Sequence, residues 1–302
     1  TGANGGDAAG AGFVVSGSPT TVLGFSFSGA FIPAGSGTLV SGVDCDEVTE
    51  LIFSGAGGSS LTAELQESDD NADGGGGTAT GQMYLSNMDL VAATAGFIIA
   101  YPQGSNLSVG GSHWNSMIAT EDNKSSTDDI GFISFLIDQI ASEYNIDLSK
   151  VYACGYSNGA DFSISLACYL SNKISAVAPV SGLMSSESDS LCNPQENTKI
   201  LIFNGTSDND RPYAGIDNYY LSVESALRYW STFHNADSLQ IQQSTDSNGN
   251  EIENIKYFND DGLLMVEHYK IIDGGHYWFD LNYQDSNIDQ IIWNFFLESR
   301  PN

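Results

Sequence analysis

The chain has 302 residues, enough for one large domain or one and a half. Its 41% hydrophobic and 11% aromatic content allows a substantial core. Nine Lys and Arg stand against 38 Asp and Glu, a formal net charge of −29. No basic footprint for nucleic acid is available, and an anionic membrane would repel the chain. No apolar run reaches the length of a membrane span, and an acidic, Lys-poor surface suits solubility in salt. No signal peptide is visible, and Thr1 reads as the start of a processed chain.

Residues 1 to 66 differ in texture from the rest. Thr1 to Gly12 is rich in Gly and Ala, and short β-like runs follow at Phe13–Val15, Thr21–Phe27, Thr38–Val40 and Val48–Phe53. Gly, Ser and Pro separate them, which argues for a β-rich segment, either a sandwich-like module or an extension of a sheet. Such a segment could pair with a neighbour's sheet edge and drive self-association. The acidic stretch Glu67–Asp73 reads as a linker or exposed loop and opens a second region, 67–302.

From there helices and strands alternate. Tyr84, Met88, Val91, Ala92 and Ala95 share a helical face, and Phe97–Tyr101 is an apolar strand stopped by Pro102. Asp128 and Asp129 open a helix whose inner face is Ile133, Leu136, Ile137 and Ile140. Buried strands are expected at Val151–Cys154, Ala176–Val180, Lys199–Phe203 and Leu263–Ile272. A helix lies around Val223, Leu227 and Trp230, and Gln240–Asn254 is a polar excursion. The last helix presents Ile288, Ile291, Ile292, Phe295 and Phe296 on one face. This alternation predicts an α/β fold with a mostly parallel sheet covered on both sides.

The most informative stretch is Gly155-Tyr156-Ser157-Asn158-Gly159, a G-x-S-x-G run between a strand and a helix. A turn this tight would hold the Ser157 hydroxyl clear of the sheet, above a helix N-terminus that favours developing negative charge. A serine needs a base to take its proton and an acid to orient that base, in the chain order Ser, Asp or Glu, His. Of four histidines, His113 precedes Ser157, His234 ends a helical pattern and His268 sits within a strand. His276 lies in a loop just past a strand and is the expected base. Asp208 follows the strand Lys199–Phe203 and a Gly turn and is the expected acid, with Asp210 and Asp217 as rivals.

The spacing of Cys45, Cys154, Cys168 and Cys192 suits no zinc site. Cys154 reads as a buried thiol, and Cys168 and Cys192 are placed so that they could pair in an oxidising compartment. Asp208, Asn209 and Asp210 offer oxygens to calcium, but acidic loops of this kind usually hold none. Neither a metal nor a cofactor is expected.

Several runs carry a family resemblance. They are Gly96–Gly104, Trp114-Asn115, Asp128–Ile133, Val151–Gly159, Leu166–Cys168, Ala176–Gly182, Asn204–Asp208 and Gly274–Trp278. Taken in order, they make the chain from Gly74 onward resemble the secreted esterases grouped with polyhydroxybutyrate depolymerases and with the feruloyl and acetylxylan esterases of carbohydrate esterase family one. The resemblance implies an α/β-hydrolase fold, a triad of Ser157, Asp208 and His276, a Cys168–Cys192 disulfide and a secreted, extracellular protein. It implies an ester-bearing polymer as substrate, either a feruloyl or acetyl polysaccharide or a hydroxyalkanoate polyester. Trp114, Tyr277 and Trp278 are candidates to line the substrate site, since aromatic faces suit such chains.

Two features depart from the family. Its His-Gly-x-Gly-Gly oxyanion loop is matched by Asp73-Gly74-Gly75-Gly76-Gly77, with Asp where His is usual. The Gly75 N–H would then join that of Asn158 in receiving an oxyanion. The rival segment Ser54-Gly55-Ala56-Gly57-Gly58 lies at a poorer spacing. The family's first strands are also not recognisable, and Leu23–Leu39 instead resembles part of a cohesin-like β-sandwich module. These departures leave an alternative, a weakened hydrolase scaffold acting as an extracellular binding or self-assembling structural protein.

Overall fold

A computed structural model describes residues 14–17, 22–25, 53–54, 60–61, 82, 85–106, 112–116 and 127–298. The chain divides into two units, Thr1–Asp70 and Asn71–Asn302. In the first, β1 (Val14–Gly17) pairs antiparallel with β2 (Val22–Phe25), and β3 (Phe53–Ser54) with β4 (Ser60–Leu61). The strand expected at Thr38–Val40 and most of the cohesin-like run lie outside the described residues.

The second unit begins with α1 (Met88–Ala95), the short pair β5 (Ser105–Asn106) and β6 (Ser112–His113), and α2 (Asp129–Glu143). Asp128 caps α2 through its carboxylate, which accepts the Gly131 N–H at 2.8 Å. Then come β7 (Tyr152–Tyr156), α3 (Asn158–Tyr169), β8 (Ala176–Val180), α4 (Ser186–Leu191) and β9 (Lys199–Gly205). The chain closes with α5 (Val223–Phe233), β10 (Ser238–Thr245), β11 (Glu251–Phe258), β12 (Leu264–Ile271) and α6 (Ile288–Glu298).

Six strands form one sheet in the order β10-β11-β12-β9-β8-β7. The pairs β7–β8, β8–β9 and β9–β12 are parallel, and β12–β11 and β11–β10 are antiparallel. Alternating residues of the central strand β9 feed two cores. Ile200 and Ile202 join α2, α3 and α5 through Ile133, Phe162, Leu227 and Trp230. Leu201 and Phe203 join α6 on the other face through Ile288, Ile291, Ile292, Phe295 and Phe296. Each large side chain removed from water contributes about 1.5–3 kcal/mol, so α6 alone is held by a substantial apolar contact. The result is the helix–sheet–helix layering of an α/β hydrolase.

Two sequence expectations change. Phe97–Tyr101 is not a strand. Its backbone joins no described ladder; Phe97 and Ile99 pack against the core that α6 completes, while Ile98 is exposed, and the segment and β7 both contribute to the lining of a cleft of about 510 Å³. Phe97 is held through its side chain instead, stacked on Trp293 with ring centroids 4.1 Å apart. The polar excursion Gln240–Asn254 is largely the hairpin β10–β11. Its edge strand is exposed on both faces, so it needs no apolar alternation to be a strand. Asp246 closes the turn by accepting the N–H groups of Asn248 and Asn250 at 3.0 and 2.8 Å, with Gly249 at φ 90°.

Candidate active site

β7 delivers the chain to Ser157, which adopts φ 53° and ψ −118°, and α3 begins at the next residue. A non-glycine residue in such a conformation costs on the order of 1–3 kcal/mol and must be held by its surroundings. The Ser157 N–H is held by the Val180 carbonyl at 3.0 Å. A Cβ on Gly155 would come within 2.3 Å of the Gly159 carbonyl oxygen, so only glycine permits the strand and helix to approach this closely. The strand–turn–helix is the elbow that the G-x-S-x-G spacing predicts.

The structure brings Ser157, His276 and Asp208 into one hydrogen-bonded chain. Ser157 Oγ lies 2.9 Å from His276 Nε2, and His276 Nδ1 lies 2.8 Å from Asp208 Oδ2. Because a carboxylate can only accept, this arrangement assigns the imidazole proton to Nδ1 and leaves the Nε2 lone pair facing the serine hydroxyl. The Asp208 side chain is fully buried and that of His276 is 15% exposed. Both loops follow adjacent parallel strands and are stitched together. The Thr206 and Ser207 N–H groups donate to the Ile271 and Gly274 carbonyls at 2.9 and 2.8 Å, and the Asp273 N–H donates to Thr206 Oγ1 at 2.8 Å.

Further residues hold these groups in place. The second Asp208 oxygen, Oδ1, accepts the N–H groups of Asp210 and Arg211 at 2.8 and 2.7 Å. The Tyr156 hydroxyl donates to the His276 carbonyl and the Ser181 hydroxyl to the Tyr277 carbonyl, each at 2.8 Å. Burial, reinforced by the carboxylates of Asp208 and Asp210, pushes the Tyr156 phenol up to about 12, so it remains a donor at neutral pH. The sequence reading did not single out Tyr156 or Ser181, although both lie in its motif runs. The rivals Asp210 and Asp217 are exposed, and Asp210 contributes its backbone N–H to Asp208.

The other candidate positions fall in different places. Asn158 opens α3, where the leading N–H groups have no acceptor within the helix. Its side-chain amide is already occupied, with Oδ1 accepting the Trp114 N–H at 2.7 Å and Nδ2 donating to the Trp114 carbonyl at 3.0 Å. Trp114 thus meets the elbow through its backbone. Its ring is buried and stacks on Phe162 at 4.8 Å, and Trp114 is one of the residues lining the cleft that Phe97–Tyr101 and β7 also line. Tyr277 is exposed beside His276, and Trp278 is half-buried against the core that α6 completes. Asp73, Gly75 and the rival residues Gly55–Gly58 lie outside the described residues.

Cys168 and Cys192 form a disulfide that ties the end of α3 to the residue after α4. Cys154 is a free, half-buried cysteine, and desolvation pushes its thiol up to about 12, which leaves it un-ionised at neutral pH. His234 and His268 are also buried, and burial lowers them to about 4 and about 3. Both stay neutral at physiological pH. Among the described residues no helix is long and apolar enough to cross a membrane.

No family model matches the chain. It is 27% identical over 218 residues to a bifunctional acetylxylan esterase/xylanase of Neocallimastix patriciarum, covering 71% of this chain and 28% of that protein. It is also 27% identical over 191 residues to feruloyl esterase B of Piromyces equi, covering 60% of this chain and 34% of that protein. The chain therefore spans only about a third of the length of these curated relatives. Among solved structures, the acetyl xylan esterase from Aspergillus awamori superposes with a TM-score of 0.48 at 17% identity, over 67% of this chain and 80% of that one. The chain is similar to acetylxylan and feruloyl esterases, as its motif runs imply.

Proposed function

We propose that this chain is a secreted serine esterase that releases feruloyl or acetyl groups from a plant or algal polysaccharide. The observation that supports this reading most is the hydrogen-bonded chain from Ser157 Oγ through His276 to Asp208. His276 Nε2 takes the hydroxyl proton as Ser157 Oγ attacks the ester carbonyl. Asp208 keeps the imidazole in the reactive tautomer and stabilises its cation. The carbonyl oxygen becomes an oxyanion that the Asn158 N–H receives at the start of α3, with the Gly75 N–H as second donor. The tetrahedral intermediate collapses, the imidazolium gives its proton to the departing alcohol oxygen, and an acyl-enzyme on Ser157 remains. Water, deprotonated by the same imidazole, then releases the acid and restores the serine. Tyr277, exposed beside His276, offers an aromatic face to the acyl group or to the sugar that bears it.

Defined substrates test both chemistry and class. Feruloylated arabinoxylan, acetylated xylan and a hydroxybutyrate oligomer are incubated with the protein and with Ser157→Ala. Ferulate or acetate should be released by the parent protein alone. Release of hydroxybutyrate only would move the substrate to polyester, and equal release by Ser157→Ala would overturn the serine mechanism. Folded protein inactive on all three would favour the scaffold alternative.

A further inference from the structure

Arg211 is one of only nine cationic side chains in a chain with 38 acidic ones, and it is turned inward. Its side chain is 18% exposed and its partner Asp161 is 1% exposed. Arg211 Nη2 and Nε donate to Asp161 Oδ2 at 2.9 and 3.0 Å, and Nη1 donates to the Asp210 carbonyl at 3.1 Å. Asp161 belongs to the first turn of α3, and its N–H donates to the Ser157 carbonyl at 3.0 Å. The rest of that carboxylate is also committed. Oδ1 accepts the Leu183 N–H at 2.8 Å and Oδ2 accepts the Tyr220 hydroxyl at 3.2 Å.

The backbone of Arg211 does something different from its side chain. Its N–H, with that of Asp210, holds Asp208 Oδ1, while Oδ2 of the same carboxylate meets His276. One residue therefore grips the orienting acid through its main chain and the nucleophile's helix through its guanidinium. Each end of the Ser157–His276–Asp208 chain is tied to the same ion pair.

We propose that Asp161 and Arg211 are positioning residues, a buried clamp that fixes the separation between the nucleophile elbow and the turn bearing Asp208. The inference rests on the serine mechanism proposed above. The clamp sets how well Asp208 holds the imidazole as it becomes cationic, and it touches no substrate. Its loss should therefore lower kcat and leave KM in place. An ion pair that served stability alone would move the melting temperature and leave the kcat of the folded fraction unchanged.

The test compares the full chain with two variants and a control. Asp161→Asn/Arg211→Met removes both charges together and avoids leaving either one buried alone. Arg211→Lys keeps the charge and loses the two-pronged geometry. Ser157→Ala is the control for the mechanism itself. On a p-nitrophenyl ester, the double variant should lose about 10- to 100-fold in kcat with KM within about twofold, since a misplacement near 1 Å can cost that much. Arg211→Lys should lose less, about 3- to 10-fold, on the same principle. The far-downfield proton resonance of His276 Nδ1–H should move upfield or broaden in each. Either variant that folds carries the test. Wild-type kcat together with an unmoved resonance would overturn the clamp. If Ser157→Ala retains full turnover, the serine mechanism has failed instead, and the two failures are told apart by that control.

Discussion

A Cβ placed on Gly205, at the end of β9, would lie 2.2 Å from the carbonyl oxygen of Gly274, in the loop after β12. The two backbones touch where the Asp208 and His276 loops leave adjacent parallel strands. This contact sets the reach of one side chain to the other. Neither glycine has a positive φ, so space and not backbone conformation is what requires glycine at position 205.

Gly205→Ala should therefore push the two loops apart. Overpacking of this kind costs about 1–3 kcal/mol of stability. Turnover should fall further than stability alone explains, by about 100-fold, because proton transfer depends on sub-ångström placement. Melting temperature and kcat measured together check this. A variant that unfolds earlier with an unchanged kcat would detach the glycine contact from the chemistry.

The buried histidines make stability depend on pH. His268 is fully buried, neither ring nitrogen has a hydrogen-bond partner among the described residues, and burial lowers it from 6.5 to about 3. His234 is lowered to about 4. The unfolded chain binds these protons more readily than the folded one, so each group favours folding fully above its unfolded value. That contribution is lost as pH falls from about 6.5 towards the folded value, by about 1.4 kcal/mol per pH unit for each proton. Urea midpoints should fall between pH 7 and pH 4.5, and His268→Leu should shrink the fall. An identical pH slope in parent and variant would contradict the assignment.

The Cys168–Cys192 bridge closes a segment with a sequence separation of 24. A loop of that size restrains the unfolded chain by about 3 kcal/mol. Replacing both cysteines with serine should lower the urea midpoint accordingly and leave kcat at 25 °C unchanged, since Cys168 lies at the opposite end of α3 from Ser157. Equal stability of the bridged and serine forms would contradict this.

What the sequence made legible was the part governed by local rules. The Ser157 elbow is written in Gly155 and in the apolar run before it. The order Ser, Asp, His and the position of each after a strand led to the three side chains that the structure brings together. Helix α6 was readable because its five large apolar residues fall on one face. What escaped was set by tertiary contact. Phe97–Tyr101 has the composition of a strand, but apolar residues can be held by side-chain packing alone, as Phe97 is by Trp293, and composition does not say which. The β10–β11 hairpin lacks the alternating pattern because its edge strand has no buried face. Arg211 and Asp161 lie 50 residues apart and gave no local signal, since the pair exists only once the elbow helix and the Asp208 turn have met.

The central claim is that the Ser157 hydroxyl is an activated nucleophile. The most direct measurement is labelling with a fluorophosphonate, read by mass spectrometry of the peptides. The account predicts one adduct, on Ser157, formed rapidly by the parent protein and suppressed by His276→Ala. Folded protein in which Ser157 stays unlabelled, or labels equally fast without His276, would contradict it.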